Sequence, residues 1–136
     1  MVKMNVNYLG GLRCEAAHGP SGSRIETDAP ADNHGRAERF SPTDLVGAAL
    51  AACMATIMGI VAERKGWNLE GLRVDVEKEM TSEPPRRIAR LSVQIHLPLR
   101  LEGADRELLE KAAHNCPVLR SLHPDVQIVT IFHWPA

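Results

Sequence analysis

Three thiols are the residues best equipped for chemistry in this chain: Cys14, Cys53 and Cys116. Their odd number and wide spacing do not form a disulfide framework. Without an export signal, a reducing cytoplasm is the expected compartment, where a disulfide is transient and chemical rather than structural. Cys53 sits inside an uncharged run from Leu45 to Ala62, and two readings stand. It is a small buried hydrophobe, or it is a reactive thiol supplied with a cation by Arg13, Arg36 or Arg39. The helix dipole cannot activate it, because that field fades within the first turn. Cys116 precedes Pro117 and is therefore a candidate helix N-cap, where backbone N–H groups favour a thiolate; the alternative is a simple cap. Cys14 reads as core, on the apolar side of a strand.

Rival chemistries have weaker support. His114-x-Cys116 with Cys53 could offer three zinc ligands, but CxxC and HxxxH pairs are absent. Gly19-Pro20-Ser21-Gly22 lacks the G-x-S-x-G pattern and reads as a turn. Net charge is −1, so no strong field draws nucleic acid or an anionic membrane. Aromatic residues make up 4% of the chain, too few for a nucleic-acid stacking platform.

The elements that must position the thiols follow from periodicity. Val2, Met4, Val6 and Tyr8 alternate with polar residues and predict a half-buried strand. Gly10-Gly11 turns the chain into a second strand through Leu12, Cys14 and Ala16. Residues 24–28 make a short third strand, and 29–40 a polar loop. A long helix then starts with Ser41 as N-cap, Pro42 at the first helical position and Asp44 three residues after the cap, and stops at Gly66. Leu72–Glu77 and Leu91–Leu97 alternate and form a hairpin around Glu83-Pro84-Pro85. Asp105–Asn115 is an amphipathic helix through Leu108, Leu109, Ala112 and Ala113. Pro117 opens a second short helix, and Val126–Trp134 is a last strand, apolar on both faces and expected to be central or covered.

This order, with strands and helices segregated, is α+β, and residues 1–136 fit one domain. The long helix reaches the short end of membrane-span lengths, but its Ala and Gly content gains little from lipid. It is expected to be a core helix, not a membrane anchor. A chain this small cannot cover it on all sides, so a second copy is expected to complete the cover. Gly47, Ala48, Ala51, Ala52 and Ala55 would let backbones approach closely.

Ser41-Pro42-Thr43-Asp44-Leu45, then Ala51-Ala52-Cys53, then Cys116-Pro117-Val118 together resemble the OsmC/Ohr superfamily, and the element order agrees over nearly the whole chain. The resemblance implies an intertwined homodimer in which antiparallel sheets wrap long central helices. It also implies thiol-dependent reduction of organic hydroperoxides with no metal, flavin or other cofactor. By that likeness Cys53 attacks the peroxide and Cys116 resolves the sulfenic acid, forming a disulfide that an external dithiol reduces. An apolar crevice would favour alkyl peroxides.

Thr43 stands where the peroxide-reducing members carry a glutamate. The acid, Asp44, comes one residue later, as in the OsmC-like branch, and is either catalytic or a capping acid. Arg39 is the first candidate for the activating arginine, ahead of Arg13 and Arg36. The cap at Cys116 and the family assignment to Cys53 disagree about which sulfur is the thiolate. The family order is followed, because a guanidinium in a dry pocket can outweigh a helix end. The alternative function is a non-enzymatic, redox-responsive or small-ligand-binding dimer of the same fold.

Overall fold

A computed structural model describes residues 1–136, which form two compact units, 1–46 and 47–136.

The first unit is an antiparallel meander of β1 (Met4–Gly10), β2 (Arg13–His18) and β3 (Arg24–Asp28). The β1–β2 turn is sharp because Gly10, Gly11 and Leu12 all take left-handed φ, at 84°, 59° and 62°. Register sets Tyr8 opposite Cys14, and Cys14 opposite Thr27. Directly opposed residues share a face, so Met4, Val6, Tyr8, Cys14, Ala16 and Ile25 form one apolar surface. That surface is not covered by its own chain: Met4, Val6 and Tyr8 are 69%, 63% and 66% exposed. β1 therefore departs from the half-buried expectation.

The loop after β3 is closed at its neck by Asp28. Its amide donates to the Phe40 carbonyl at 3.1 Å. Its carboxylate accepts from Arg13 Nε at 2.7 Å, from Arg13 Nη2 at 3.0 Å and from the Glu38 amide at 3.0 Å. Only glycine fits at position 35, where a Cβ would lie 1.7 Å from the Ala29 carbonyl oxygen. The Asp28 side chain is 2% exposed, so its charge depends on this ion pair. The hydrogen bonds from Arg13 hold its carboxyl below the usual carboxylate range against the opposing effect of burial.

α1 (Pro42–Lys65) begins with a reciprocal capping box. The Asp44 amide donates to Ser41 Oγ at 3.0 Å, and the Ser41 amide donates to Asp44 Oδ2 at 2.9 Å. Gly66, at φ 73°, ends the helix. By length and composition α1 could cross a membrane, and 33% of its most apolar stretch is buried within the chain.

In the second unit Gly47, Leu50, Met54, Met58 and Ala62 line the buried stripe of α1 at three- and four-residue steps. A Cβ on Gly47 would lie 3.5 Å from Leu91 and 3.8 Å from Val76, which places this stripe against β4 (Arg73–Met80) and β5 (Ile88–His96). The opposite stripe, Ala49, Ala52, Thr56 and Ile60, is exposed. The small residues are thus divided: Gly47 and Ala51 are buried within the chain, and Ala52 lies on the open side.

β4 and β5 form the expected antiparallel hairpin, whereas β6 (Gln127–His133) pairs parallel to β5 at the edge. The sheets are antiparallel apart from this one pairing, and the edge position of β6 corrects the expectation of a central or covered last strand. The connection from β5 through α2 (Gly103–His114) and α3 (Pro117–Ser121) returns the chain in the same direction, as a helical crossover permits. Ile131 remains 48% exposed. Trp134, just past β6, is tied to α2 by its Nε1–H donating to Glu110 Oε1 at 2.9 Å, with the Arg106 guanidinium 4.9 Å from the ring centroid.

Two outcomes follow from this packing. Met54 is fully buried, so Met54→Ala should lower unfolding free energy by about 2–5 kcal/mol in denaturant titrations. The Asp28 carboxyl is more acidic folded than unfolded, so its contribution is present above the ordinary value of about 4 and is lost as pH falls through the folded value. Asp28→Asn should therefore be less stable than wild type at pH 7, and the gap should close below about pH 4 in thermal unfolding.

Candidate functional site

The local sequence around each thiol dictates its setting. Cys53 lies between the buried stripe of α1, beside Met54, and the open stripe, beside Ala52; it is half-buried. Cys116 extends the buried face of α2, following Leu109 and Ala113, and is wholly buried like them. It is also the N-cap of α3, with Pro117 at the first helical position. Its Sγ accepts the Leu119 N–H at 3.3 Å. Far apart in sequence, the two thiols come close enough for Cys53 to help raise the Cys116 thiol.

The electrostatics of Cys116 reverse the expectation from its cap. Burial pushes this thiol above its ordinary range; the Leu119 N–H opposes that, and the Cys53 contact adds to it. One weak N–H to sulfur bond does not offset removal of a thiolate from water. Cys116 is accordingly held as a thiol.

The remaining candidates have other engagements. Asp44 serves in the α1 capping box. Arg39 is half exposed, donates to the Glu38 carbonyl at 2.9 Å and lies 3.4 Å from Glu26. Arg13 is bound on two sides, to Asp28 and, at 3.3 Å, to Glu38 Oε2. Arg36 is on the same loop and is exposed. Cys14 stays within its sheet as a free thiol. The His114 ring packs edge-on to Phe132, with centroids 5.7 Å apart. No cluster of three His, Cys, Asp or Glu side chains is placed to hold a metal ion.

Two features escaped the sequence reading. Asp28 and Glu38 bind Arg13, and the signal for Asp28 was the meander itself, whose register sets Arg13 opposite Asp28. The other is a groove of about 450 Å³ between the exposed side of α1, from Ala55 to Glu63, and the Trp67–Leu72 segment. It starts two residues beyond Cys53 and does not include either thiol of the pair.

With this geometry in hand, the likeness to known proteins is informative. The family model described as OsmC-like protein matches residues 34–130. A solved structure from Psychrobacter arcticus 273-4, provisionally named for osmotic stress induction and detoxification response, is 39% identical. The similarity covers 98% of this chain and 96% of that one, with a TM-score of 0.92. A Legionella pneumophila structure named as an organic hydroperoxide resistance protein is 18% identical, with a TM-score of 0.77 over 98% of this chain and 96% of that one. The organic hydroperoxide resistance protein OhrB of Bacillus subtilis is 16% identical, with a TM-score of 0.67 over 97% of each chain. These last two show a shared fold. No curated protein sequence matches the chain. By the extent of the family match and the 39% identity, the chain belongs to the OsmC-like protein family, with the α+β fold of OsmC and Ohr proteins.

Proposed function

We propose that this protein is a thiol-dependent peroxidase that reduces organic hydroperoxides, using Cys53 to attack and Cys116 to resolve. The observation that carries this reading is that a half-buried Cys53 lies close enough to a fully buried Cys116 to act on its thiol. The Cys53 thiolate attacks the O–O bond, giving a sulfenic acid and an alcohol. The Cys116 thiol condenses with the sulfenic acid, releasing water and forming a disulfide. An external dithiol then restores both thiols by exchange. The family includes proteins named for organic hydroperoxide resistance, which supports the substrate class.

The reading assigns thiolate activation to Arg39, whose guanidinium is exposed and only loosely engaged by Glu26. Arg13 is already committed to a buried carboxylate. The working form is a homodimer, supported by the uncovered apolar face of β1–β3 and the open stripe of α1. A second copy offers the complementary surface. A reducing compartment such as the cytoplasm suits a disulfide formed and broken in each turnover.

One observation favours the alternative of a redox-responsive dimer without efficient turnover: Asp44 is engaged in the helix cap, and Thr43 carries no charge. The two readings separate on turnover. With an alkyl hydroperoxide and excess dithiol, wild type should consume many equivalents of peroxide. Cys53→Ser should consume none above background, and Cys116→Ser about one equivalent, stopping at a trappable sulfenic acid. Full turnover by Cys53→Ser would reject the peroxidase reading. For Asp44, a capping role predicts that Asp44→Ala lowers unfolding free energy by about 1 kcal/mol. In that case Asp44→Asn, which keeps an acceptor for the Ser41 amide, should retain the peroxidase rate. A large rate loss in a well-folded Asp44→Asn would instead make the carboxylate catalytic.

A further inference from the structure

We infer that His96 and His133 form a two-histidine site for a divalent transition metal ion such as zinc, on the face of the second sheet turned away from α1. The site does not depend on the thiol chemistry.

Strand register brings the two rings together. His96 of β5 is directly opposite His133 of β6, and opposed residues share a face. Val76 of β4 and Leu91 of β5 lie against α1. By alternation Arg73, Asp75, Gln94, His96 and His133 occupy the other face. That face is polar, and it is neither of the apolar surfaces assigned to the homodimer, the face of β1–β3 and the open stripe of α1. The imidazoles stack, with centroids 4.6 Å apart and planes 9° from parallel. The Leu97 N–H donates to the His133 carbonyl at 2.9 Å, which joins the two strands at the pair. A site carried on paired strands is held more exactly than one carried on a loop.

Each ring is oriented by an oxygen at Nε2. His96 Nε2 is 3.1 Å from Asp75 Oδ2, and His133 Nε2 is 2.9 Å from Gln94 Oε1. A carboxylate and an amide carbonyl only accept, so in the neutral rings both Nε2 atoms carry the proton and both Nδ1 atoms keep a lone pair. Asp75 and Gln94 are themselves opposed across β4 and β5. The two parallel rings therefore lean toward one row and offer both Nδ1 atoms on one side. Metal-bound histidines have this outer shell: the far N–H donates to a carboxylate or carbonyl, which fixes the tautomer and the ring.

Imidazole nitrogen suits zinc, copper and nickel. A tetrahedral zinc ion lies about 2.0–2.1 Å from each nitrogen, which sets two ligand nitrogens about 3.4 Å apart. The stack is wider than that, but χ2 of histidine is a soft torsion, and a modest tilt of each ring closes the gap. Two protein nitrogens face the ion, so water completes its shell and the ion exchanges readily. Arg73 opposes binding, because its Nη2 lies 3.1 Å from Asp75 Oδ2 and shares that carboxylate. Its side chain is 66% exposed and can turn into water. The ion would bridge β5 and β6, so binding stabilises the folded chain.

The full-length wild-type chain, isotope-labelled in its six histidines, is titrated with zinc chloride at neutral pH under a non-thiol reductant. Ring-nitrogen resonances are followed. His96 and His133 should shift together along one saturating curve, with the change centred on Nδ1. His96→Gln and His133→Gln should each weaken zinc binding at the remaining ring by about tenfold or more, because the second ligand acts at high effective concentration. Asp75→Ala keeps both rings and should weaken binding by about tenfold. Zinc should raise the thermal unfolding midpoint of wild type more than that of His133→Gln. Unfolding midpoints without zinc verify that each variant is folded. Equal affinity in wild type and any of the three variants overturns the inference. So does a response at one ring only, a response centred on Nε2, an equal rise of the unfolding midpoint in wild type and His133→Gln, or a response confined to His114 beside Cys116.

Discussion

α1 needs more cover than its own chain provides. Its uncharged stretch presents apolar side chains around the whole circumference, yet only Gly47, Leu50, Ala51, Met54, Met58 and Ala62 are buried. Sheet residues such as Leu91 and Val76 line that side. The other side, with Ala49, Ala52 and Ile60, is left open, and β1–β3 carries an apolar face exposed at Met4, Val6 and Tyr8. Apolar surface favours removal from water by about 25 cal/mol per Å². Two open apolar surfaces on one small chain therefore favour association. Small side chains on the open stripe suit a closely approaching helix, and this is the physical basis of the proposed homodimer.

The same constraint shapes the chemistry. Cys53 sits where the covered and open sides of α1 adjoin, and Cys116 sits at the end of the covered side of α2. Within one chain Cys53 is thus half-buried and Cys116 wholly buried. In the proposed reading that asymmetry suits Cys53 as the sulfur that meets the oxidant and Cys116, raised by burial, as the one that resolves the sulfenic acid. A thiol raised by burial is a poor first nucleophile and still a usable resolving partner, because condensation with an adjacent sulfenic acid is aided by proximity.

Local patterns carried most of the architecture. Alternation identified the strands, and Ser41, Pro42 and Gly66 marked both ends of α1 because caps are decided by a few adjacent residues. The likeness of two separated cysteine motifs to OsmC/Ohr proteins carried the expectation that Cys53 and Cys116 cooperate. Long-range features were harder to read. The edge position and parallel pairing of β6 depend on how a crossover returns to the sheet, which periodicity within the strand does not encode. The raised Cys116 thiol depends on burial: Asn115-Cys116-Pro117 displays a cap, whereas the packing that outweighs the cap comes from residues distant in sequence. Asp28, at the end of β3, is the neck of a loop, which the sequence does not display because its partners Arg13 and Glu38 lie in separate segments.

The displaced acid at the start of α1 bears on how such a site would work. Successive helical residues are rotated by roughly 100°, so moving a carboxylate by one position turns it to another part of the helix surface. At position 44 the acid is three residues from Ser41 and closes the capping box. At position 43 the chain has Thr43, whose hydroxyl lies 3.2 Å from Ser41 Oγ. The acid of this motif thus stabilises the helix that carries Cys53. Meanwhile Arg13 is held by Asp28 and Glu38, both outside α1. In this chain the carboxylates that orient a guanidinium come from the strand and loop rather than the helix. The Arg13–Asp28–Glu38 cluster fixes the loop on which Arg39 is carried.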